Sequence, residues 1–190
     1  MRLYIFRQRC TGFTLIEMMV TIALAVILLA IAAPQFQDLI RSNRITTETN
    51  RLLADIRLAR SEAMKRGRRV VLCPSASTLS ATPGCDGTAS VWSDGWLVFA
   101  DQDDNNTFTS GTDILLRVAT QSANGVTIRS NDAAATGLAF NADATTTAGS
   151  TARFAFCDQR GNTYGNQINV ATVGRPHVTG RASDCTDPTS

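Results

Sequence analysis

The sequence predicts an α+β protein in which one long N-terminal α-helix packs on an antiparallel β-sheet head. The first half of the helix is expected to cross a membrane, and the second half to be amphipathic. Three observations support this fold. Residues Phe13 to Ala33 carry no charged side chain except Glu17. Apolar residues then recur with helical spacing, and from Arg69 onward short β-like runs alternate with loops rich in Gly, Ser, Thr, Asn and Asp.

The apolar run is long enough to cross a bilayer, which takes about 20 residues in a helix. The residues before it include no acid and three arginines, Arg2, Arg7 and Arg9. The positive-inside rule therefore places the N-terminus in the cytoplasm and the rest of the chain on the other side. A secretory signal peptide is the alternative, and Ala30-Ile31-Ala32 fits its cleavage site weakly.

Glu17 is the one charged side chain in the run, and it argues against a signal peptide. A carboxylate in hydrocarbon costs about 2.5 kcal/mol or more on insertion scales, so an acid there indicates function. The ordinary alternative is that Glu17 lies near the interface and is solvated, since it is only about one turn into the segment.

Gly12-Phe13-Thr14-Leu15-Ile16-Glu17 resembles the prepilin processing site of type IV pilins and type II secretion pseudopilins. The resemblance implies a type IV pilin-like fold and cleavage by prepilin peptidase between Gly12 and Phe13, with methylation of Phe13. It also implies a division into a cleaved leader (1–12), a transmembrane helix (13–33), a periplasmic amphipathic half of the helix (34–66) and a β-rich periplasmic head (67–190).

The physical chemistry of the cleaved N-terminus agrees with that resemblance. Cleavage creates an ammonium group at Phe13, four residues and one helical turn before Glu17. A carboxylate in hydrocarbon needs a partner, and this ammonium, in the same or a neighbouring subunit, supplies one. A subunit with an unpaired Glu17 therefore gains by docking into a filament.

The helix is predicted to continue to about Lys65. Pro34 removes one helix hydrogen bond, so a kink or local loosening is expected there. Gly67 is placed to end the helix as a C-cap. A polar stretch runs from Ser42 to Arg51, and after it a narrow apolar stripe follows a spacing of four, three and four residues: Leu52, Ile56, Ala59 and Ala63.

Eight strands are predicted beyond the helix. They are placed near Val70–Cys73, Gly95–Ala100, Ile114–Val118, Val126–Arg129, Gly137–Phe140, Arg153–Cys157, Gln167–Ala171 and Pro176–Thr179. Loops are predicted at 75–89 and 141–150, and the Thr/Ala/Gly composition of the second loop predicts a mobile tip.

The segment from Trp92 to Asp101 reads W-S-D-G-W-L-V-F-A-D. It resembles the W-x-x-G-W-x-V-F-x-D signature of the GspH/FimT group of minor pilins and pseudopilins. The alternation of Trp96, Val98 and Ala100 with other apolar residues predicts a strand that is buried on both faces. Its aromatic residues are therefore interpreted as core.

Four cysteines remain if the leader, which contains Cys10, is removed. An even number in an oxidising compartment indicates disulfides. Three pairings are possible, and the pairs of sequence neighbours, Cys73–Cys85 and Cys157–Cys185, are favoured. Zinc is disfavoured, because the sequence has no Cys-x-x-Cys pair and His177 is the only histidine. No cofactor is predicted.

Asp101-Gln102-Asp103-Asp104-Asn105 has the D-x-D-x-N spacing that suits a calcium loop. An EF-hand would also need a glycine at the sixth position and a glutamate at the twelfth, and both are missing. The segment is interpreted as an acidic turn, with calcium binding as the alternative, and no metal site is predicted.

DNA binding is the alternative function. Gly174-Arg175-Pro176-His177-Val178 resembles the C-terminal G-R-x-R segment of DNA-binding FimT proteins, except that His177 replaces the last arginine. The resemblance and the local surplus of arginine indicate four candidate DNA contacts, which are Arg160, Arg175, His177 and Arg181. The head as a whole has slightly more acidic than basic residues, so any positive patch must be local.

The predicted function is a minor pilin or pseudopilin, a structural and assembly subunit of a type IV pilus or type II secretion filament. The expected partners are other pilin or pseudopilin subunits, prepilin peptidase, the inner membrane and, in the alternative function, DNA. An enzyme is not predicted, because no nucleophile–base pair and no phosphate-binding glycine loop are evident.

Overall fold

The computed structural model describes residues 12–87, 89–123, 125–183 and 185. The chain divides into two compact units, Met1–Ile40 and Arg41–Ser190. One helix, α1 (Leu15–Arg66), contributes to both units. The strands of the second unit are β1 (Val70–Pro74), β2 (Gly95–Ala100), β3 (Ile114–Thr120), β4 (Thr127–Ser130), β5 (Leu138–Phe140), β6 (Ala152–Cys157), β7 (Asn166–Val170) and β8 (Pro176–Gly180).

The part of α1 in the second unit buries one apolar stripe. The predicted residues Leu52, Ile56, Ala59 and Ala63 are all fully buried, and Ile45 extends the stripe by two turns toward the N-terminus. The polar stretch from Ser42 to Arg51 is therefore only partly exposed to solvent. Its Thr49 is buried and satisfies its hydroxyl by donating to the carbonyl oxygen of Ile45 at 2.7 Å.

Gly67 ends α1 as the sequence predicts. It adopts a φ of +60°, which glycine reaches without steric cost. The amide of Arg68 donates to the carbonyl oxygen of Ala63 at 3.3 Å, which is the 6→1 hydrogen bond of a Schellman C-cap. At Pro34 the structure records α-helix on both sides, so the helical segment continues through that position.

The head contains two four-stranded antiparallel sheets, and the sequence predicted its antiparallel strands without dividing them between sheets. The first has the order β3-β2-β1-β5 and the second has the order β4-β6-β7-β8. All eight predicted strands are present, with bounds within two residues of the prediction. A single hydrophobic core joins the stripe of α1 to side chains of both sheets, including Trp96 and Phe154. The α+β class is confirmed.

Strand β2 is buried on both faces, as predicted. Trp96, Val98 and Ala100 point into the main core, and Leu97 and Phe99 belong to a second cluster on the other side of the sheet. Trp92 is also fully buried and donates its indole N–H to the carbonyl oxygen of Ala134 at 3.2 Å. Both tryptophans are therefore core residues.

Two disulfides link the head, and both join the cysteines that are neighbours in sequence. Cys73 of β1 is bonded to Cys85, which ties the loop after β1 back to its strand. Cys157 at the end of β6 is bonded to Cys185 near the C-terminus. In the chain-entropy model, closing loops of this length stabilises the fold by about 3 kcal/mol each.

The expectation of a mobile tip at 141–150 does not hold for residues 141–147. Ala144 and Thr146 are buried, and the Thr146 amide donates to the carbonyl oxygen of Thr172 at 2.8 Å. At Gly174, in the turn between β7 and β8, an added Cβ would lie 1.9 Å from the Ala144 carbonyl oxygen. The small side chains therefore serve close packing of this loop on the β7–β8 turn.

Asp55 is a buried acid on the face of α1 that meets the first sheet, and it is 1% exposed. Trp96 of β2 donates its indole N–H to Asp55 Oδ2 at 2.8 Å. Arg117 of β3 pairs with Asp55 Oδ1 at 2.7 Å. Burial raises the pKa of Asp55, and the bonds from Trp96 and Arg117 act in the opposite direction. One carboxylate thus connects α1 to two adjacent strands.

We expect Trp96→Phe to destabilise the head by about 2–4 kcal/mol, because a buried carboxylate loses a donor and the core loses volume. Trp92→Phe is the matched control, since it removes a similar indole bond to a neutral carbonyl. It should cost about 1 kcal/mol less, because hydrogen bonds to charged groups are the stronger class. Urea unfolding of the mature chain measures both. Equal costs would contradict the importance of the Asp55 bond.

The raised pKa of Asp55 predicts a pH dependence. The folded state holds this proton more tightly than the unfolded state, so the contribution of Asp55 to stability falls as pH rises from 3.8 through the folded pKa. Asp55→Asn removes that slope. The difference in unfolding free energy, wild type minus Asp55→Asn, should therefore decrease with rising pH in this window and then level off. A difference that grows with pH would contradict the direction of the shift.

Candidate functional site

The described chain begins with the segment that carries the predicted processing site. Gly12, Phe13 and Thr14 precede α1, and Phe13 is 79% exposed. Thr14 is the N-cap: its hydroxyl oxygen accepts from the amide of Glu17 at 3.3 Å, and its carbonyl oxygen accepts from the amide of Met18. The junction between Gly12 and Phe13 thus lies outside the helix, where the backbone is not held by helical hydrogen bonds.

Glu17 lies in the first turn of α1, three residues after the cap. The T-x-x-E spacing from Thr14 to Glu17 is that of a capping box, and the helix dipole favours a negative charge at this end. Sequence reasoning treated Glu17 only as an acid in an apolar run and missed the cap, although the spacing was visible. The backbone amide of Glu17 is therefore part of the N-cap, and a negative charge at its position is favoured by the helix dipole.

The apolar part of α1 in the first unit is uncovered by the rest of the described chain. No residue from 12 to 33 is buried, and large apolar side chains such as Leu15, Leu28 and Leu29 are two thirds or more exposed. By length and composition, α1 is the one helix among the described residues that could cross a membrane. A core helix of a soluble protein would have this segment buried, and here none of it is.

Arg160, a predicted DNA contact, is engaged within the head. It pairs with Asp158 at 2.7 Å, donates to the Ser42 hydroxyl at 3.2 Å and lies 4.6 Å from the centre of the Tyr164 ring. Its side chain is 11% exposed. This arginine therefore connects the start of the second unit's helix to the loop after β6, and it is poorly placed to contact a phosphate.

Arg175 is exposed and belongs to a basic surface that also involves the helix. With Arg57 and Arg60 of α1 it lines a cavity of about 340 Å³. Among the described residues, no carboxylate lies within 4 Å of these three guanidinium groups, and Arg60 Nε is buried without a hydrogen-bond partner. We call these three residues the arginine surface. Sequence reasoning missed Arg57 and Arg60, whose only signal was a three-residue spacing on the polar side of α1.

The other two predicted DNA contacts lie on or beyond β8. His177 is exposed, and its Nε2 lies 3.4 Å from Asn169 Nδ2. Arg181 is exposed and follows the last residue of β8, whereas Arg175 precedes the first. Six residues of extended chain span about 20 Å. The structure therefore does not bring Arg181 to the arginine surface.

Comparisons with known proteins agree with these features. Residues 48–174 match the family model described as type II transport protein GspH, and residues 7–33 match the prokaryotic N-terminal methylation motif. A comparison with curated proteins found no match.

The fold is similar to that of a type IV minor pilin, FimU of Pseudomonas aeruginosa strain PAO1. One crystal form has a TM-score of 0.54 at 21% identity and covers 76% of this chain and 96% of FimU. A second form has a TM-score of 0.52 at 22% identity, with 74% and 99% covered. The structural likeness supports the fold, and the family model spans most of the chain. The chain therefore belongs to the GspH family and is a minor pilin or pseudopilin of the GspH/FimT type.

Proposed function

We propose that this chain is an assembly subunit that enters a type IV pilus or type II secretion filament through its N-terminal helix. In this proposal prepilin peptidase cuts between Gly12 and Phe13, and Phe13 is then methylated. Residues 13–33 anchor the subunit in the inner membrane. Residues 34–66 continue the helix into the periplasm, where residues 67–190 form the head.

The single observation that carries the proposal is the uncovered apolar surface of α1 in the first unit. A surface of that size in water would aggregate, so it must contact lipid or other protein chains. Lipid satisfies every residue of this segment except Glu17, because a carboxylate is costly in hydrocarbon. A second helix that brings an ammonium group satisfies Glu17 as well.

The geometry of the helix start suits this pairing. Glu17 is one turn from the amino group that cleavage before Phe13 would create. Within one subunit, the Thr14 hydroxyl oxygen accepts from the backbone amide of Glu17, and the helix dipole favours the carboxylate at this end of α1. In a filament, the exposed Glu17 carboxylate can instead pair with the ammonium group of a neighbouring subunit. Neither charge is then left unpaired in lipid.

We expect Glu17→Gln to lower the amount of subunit in sheared filaments at least about tenfold, a ratio that corresponds to the loss of about 1.4 kcal/mol of docking energy. Asp38→Asn is the matched control, since it removes another carboxylate from the same unit of the helix at a position well past the apolar run. It should leave incorporation within about twofold of wild type. Immunoblots of filament and membrane fractions measure the distribution.

Mass spectrometry of the purified N-terminus separates processing from docking. Wild type and both variants should begin at a methylated Phe13. A wild-type protein that begins at Met1, or at a residue beyond Ala33, would overturn the proposed processing. Normal processing with unchanged incorporation of Glu17→Gln would instead overturn the docking role of the glutamate.

DNA binding during natural transformation is the second candidate function, and the arginine surface favours it. Three guanidinium groups without a carboxylate partner form a local positive patch on a head whose overall charge is slightly negative. Arginines of this kind bind phosphates independently of base sequence and in a salt-sensitive manner. The proposed contacts are Arg57, Arg60 and Arg175, in place of Arg160.

We expect Arg175→Ala to weaken duplex DNA binding about threefold to tenfold and to reduce the salt slope of log K by about 1, as the loss of one phosphate contact requires. Arg153→Ala is the matched control, because Arg153 is an exposed arginine of β6 outside the arginine surface. Gel shifts of the full mature chain across salt concentrations measure both. Equal effects of the two variants would show that only net charge matters.

A further inference from the structure

The loop between β2 and β3 brings three carboxylates together. Asp101, Asp103 and Asp113 each offer an oxygen, and these oxygens all lie within 4.8 Å of one another. Calcium binds oxygen ligands at about 2.3–2.6 Å, so two oxygens on one ion are at most about 5 Å apart. The spacing therefore allows all three carboxylates to contact one ion.

Asp101 gives the second, independent observation. Its residue is fully buried, and its Oδ2 accepts from the amide of Asn106 at 3.0 Å. Its Oδ1 is also buried but has no hydrogen-bond partner among the described residues. A buried acceptor without a donor costs about 1–3 kcal/mol, and more when it is charged. Asp101 Oδ1 thus lacks a hydrogen-bond donor.

Nearby arginines compensate the carboxylate charges of this loop only in part. Arg69 lies 3.9 Å from Asp101 Oδ2 and 3.9 Å from Asp104 Oδ1, which is beyond hydrogen-bond distance. It donates instead to the carbonyl oxygen of Asp104 at 3.2 Å. The neighbouring Arg68 donates to the carbonyl oxygen of Gln102. The loop therefore keeps an excess of negative charge at its carboxylates.

We propose that Asp101, Asp103 and Asp113 bind a calcium ion. All of the donors are oxygens, which suit a hard cation, and no nitrogen or sulfur ligand of the kind that zinc prefers belongs to the cluster. An irregular loop suits calcium better than magnesium, which demands near-ideal octahedral geometry. Water molecules would complete the coordination.

The positions of the ligand side chains are fixed by the loop itself. The Asp113 oxygens accept from the amide of Gln102 at 2.8 Å and from the amide of Thr109 at 2.7 Å. A carboxylate oxygen has a second lone pair, so these bonds orient Asp113 without using up its capacity to bind an ion. Asp103 is exposed, which gives an ion a route from solvent.

The structure also explains why EF-hand spacing did not predict this site. The sixth position of the loop is Asn106, which adopts a φ of +62° and so makes the turn that a glycine makes in an EF-hand. The last acid is Asp113 at the thirteenth position, one residue beyond the glutamate of an EF-hand. A different loop therefore achieves a similar convergence of acids.

Calorimetric titration of the full mature chain in detergent micelles, freed of metal with a chelator, tests the site. We expect one saturable site for CaCl₂ with a Kd on the order of 10⁻⁴–10⁻³ M, the range of extracellular calcium modules. At roughly ten times the Kd, Tm should rise by about 3 °C or more, and added EDTA should reverse the rise.

Asp103→Asn should weaken calcium binding at least about tenfold, because it replaces a charged ligand with a neutral one in an exposed position that the fold tolerates. Asp104→Asn is the matched control. It removes the same charge from the same loop, and its φ of +59° suits asparagine, but Asp104 is not in the cluster. It should weaken binding less than about threefold.

Three results would overturn the proposal. One is the absence of saturable heat and of any Tm change at about 10 mM CaCl₂, well above the expected Kd. Another is equal weakening by the two variants, which would indicate diffuse attraction to the loop. The third is an equal rise in Tm with MgCl₂ at the same concentration. Each readout is independent of filament assembly and of DNA binding.

Discussion

The Asp55 carboxylate fixes how the helix sits on the first sheet of the head. An apolar stripe alone would allow α1 to slide or rotate by small steps with little loss of buried area. A buried charge allows much less, because Trp96 and Arg117 reach its two oxygens from adjacent strands only in one register. Glu48 adds a second polar contact, in which its Oε1 accepts from the amide of Ala123 at 3.0 Å. Polar contacts thus specify the arrangement that apolar burial stabilises.

The helix changes its relation to the surroundings near the boundary between the two units. Residues 12–33 are exposed without exception, whereas Ile45 and Leu52 are buried. Only the second part is therefore stabilised by the chain's own head. The first part must obtain its stabilisation from lipid or from neighbouring subunits, since its apolar side chains have no partner among the described residues.

Local patterns predicted the secondary structure well, and non-local contacts account for what was missed. Alternating apolar residues and turn residues located all eight strands, and the spacing of Leu52 to Ala63 located the buried stripe. The division of the strands into two sheets depends on pairings between distant segments, such as β1 with β5, which no local pattern encodes. The burial of Thr49 was also missed. Threonine counts as a polar residue in a sequence pattern, whereas in the structure its hydroxyl donates within its own helix and needs no solvent.

The candidate site residues show the same limit more sharply. The local surplus of arginine near the C-terminus indicated Arg160 as a DNA contact, but in the structure Arg160 pairs with Asp158. Arg57 and Arg60 were not predicted, because they lie more than a hundred residues before Arg175, although they line the same cavity. The acidic loop shows the same limit for acids. Its buried Asp101 and its Asp113 are distant in sequence and come together only in the folded loop.

A chain with almost balanced charge can therefore carry two surfaces of opposite sign, provided that the fold separates them. The polar side of α1 and the residues just after it supply basic groups to both regions. Arg57 and Arg60 face the β7–β8 turn, and Arg68 and Arg69 donate to backbone oxygens of the acidic loop. Arg69 also lies 3.9 Å from a carboxylate oxygen of Asp101 and of Asp104, so it offsets part of the negative charge of the loop without a hydrogen bond to either carboxylate. The proposed calcium ion would supply the positive charge that these arginines do not.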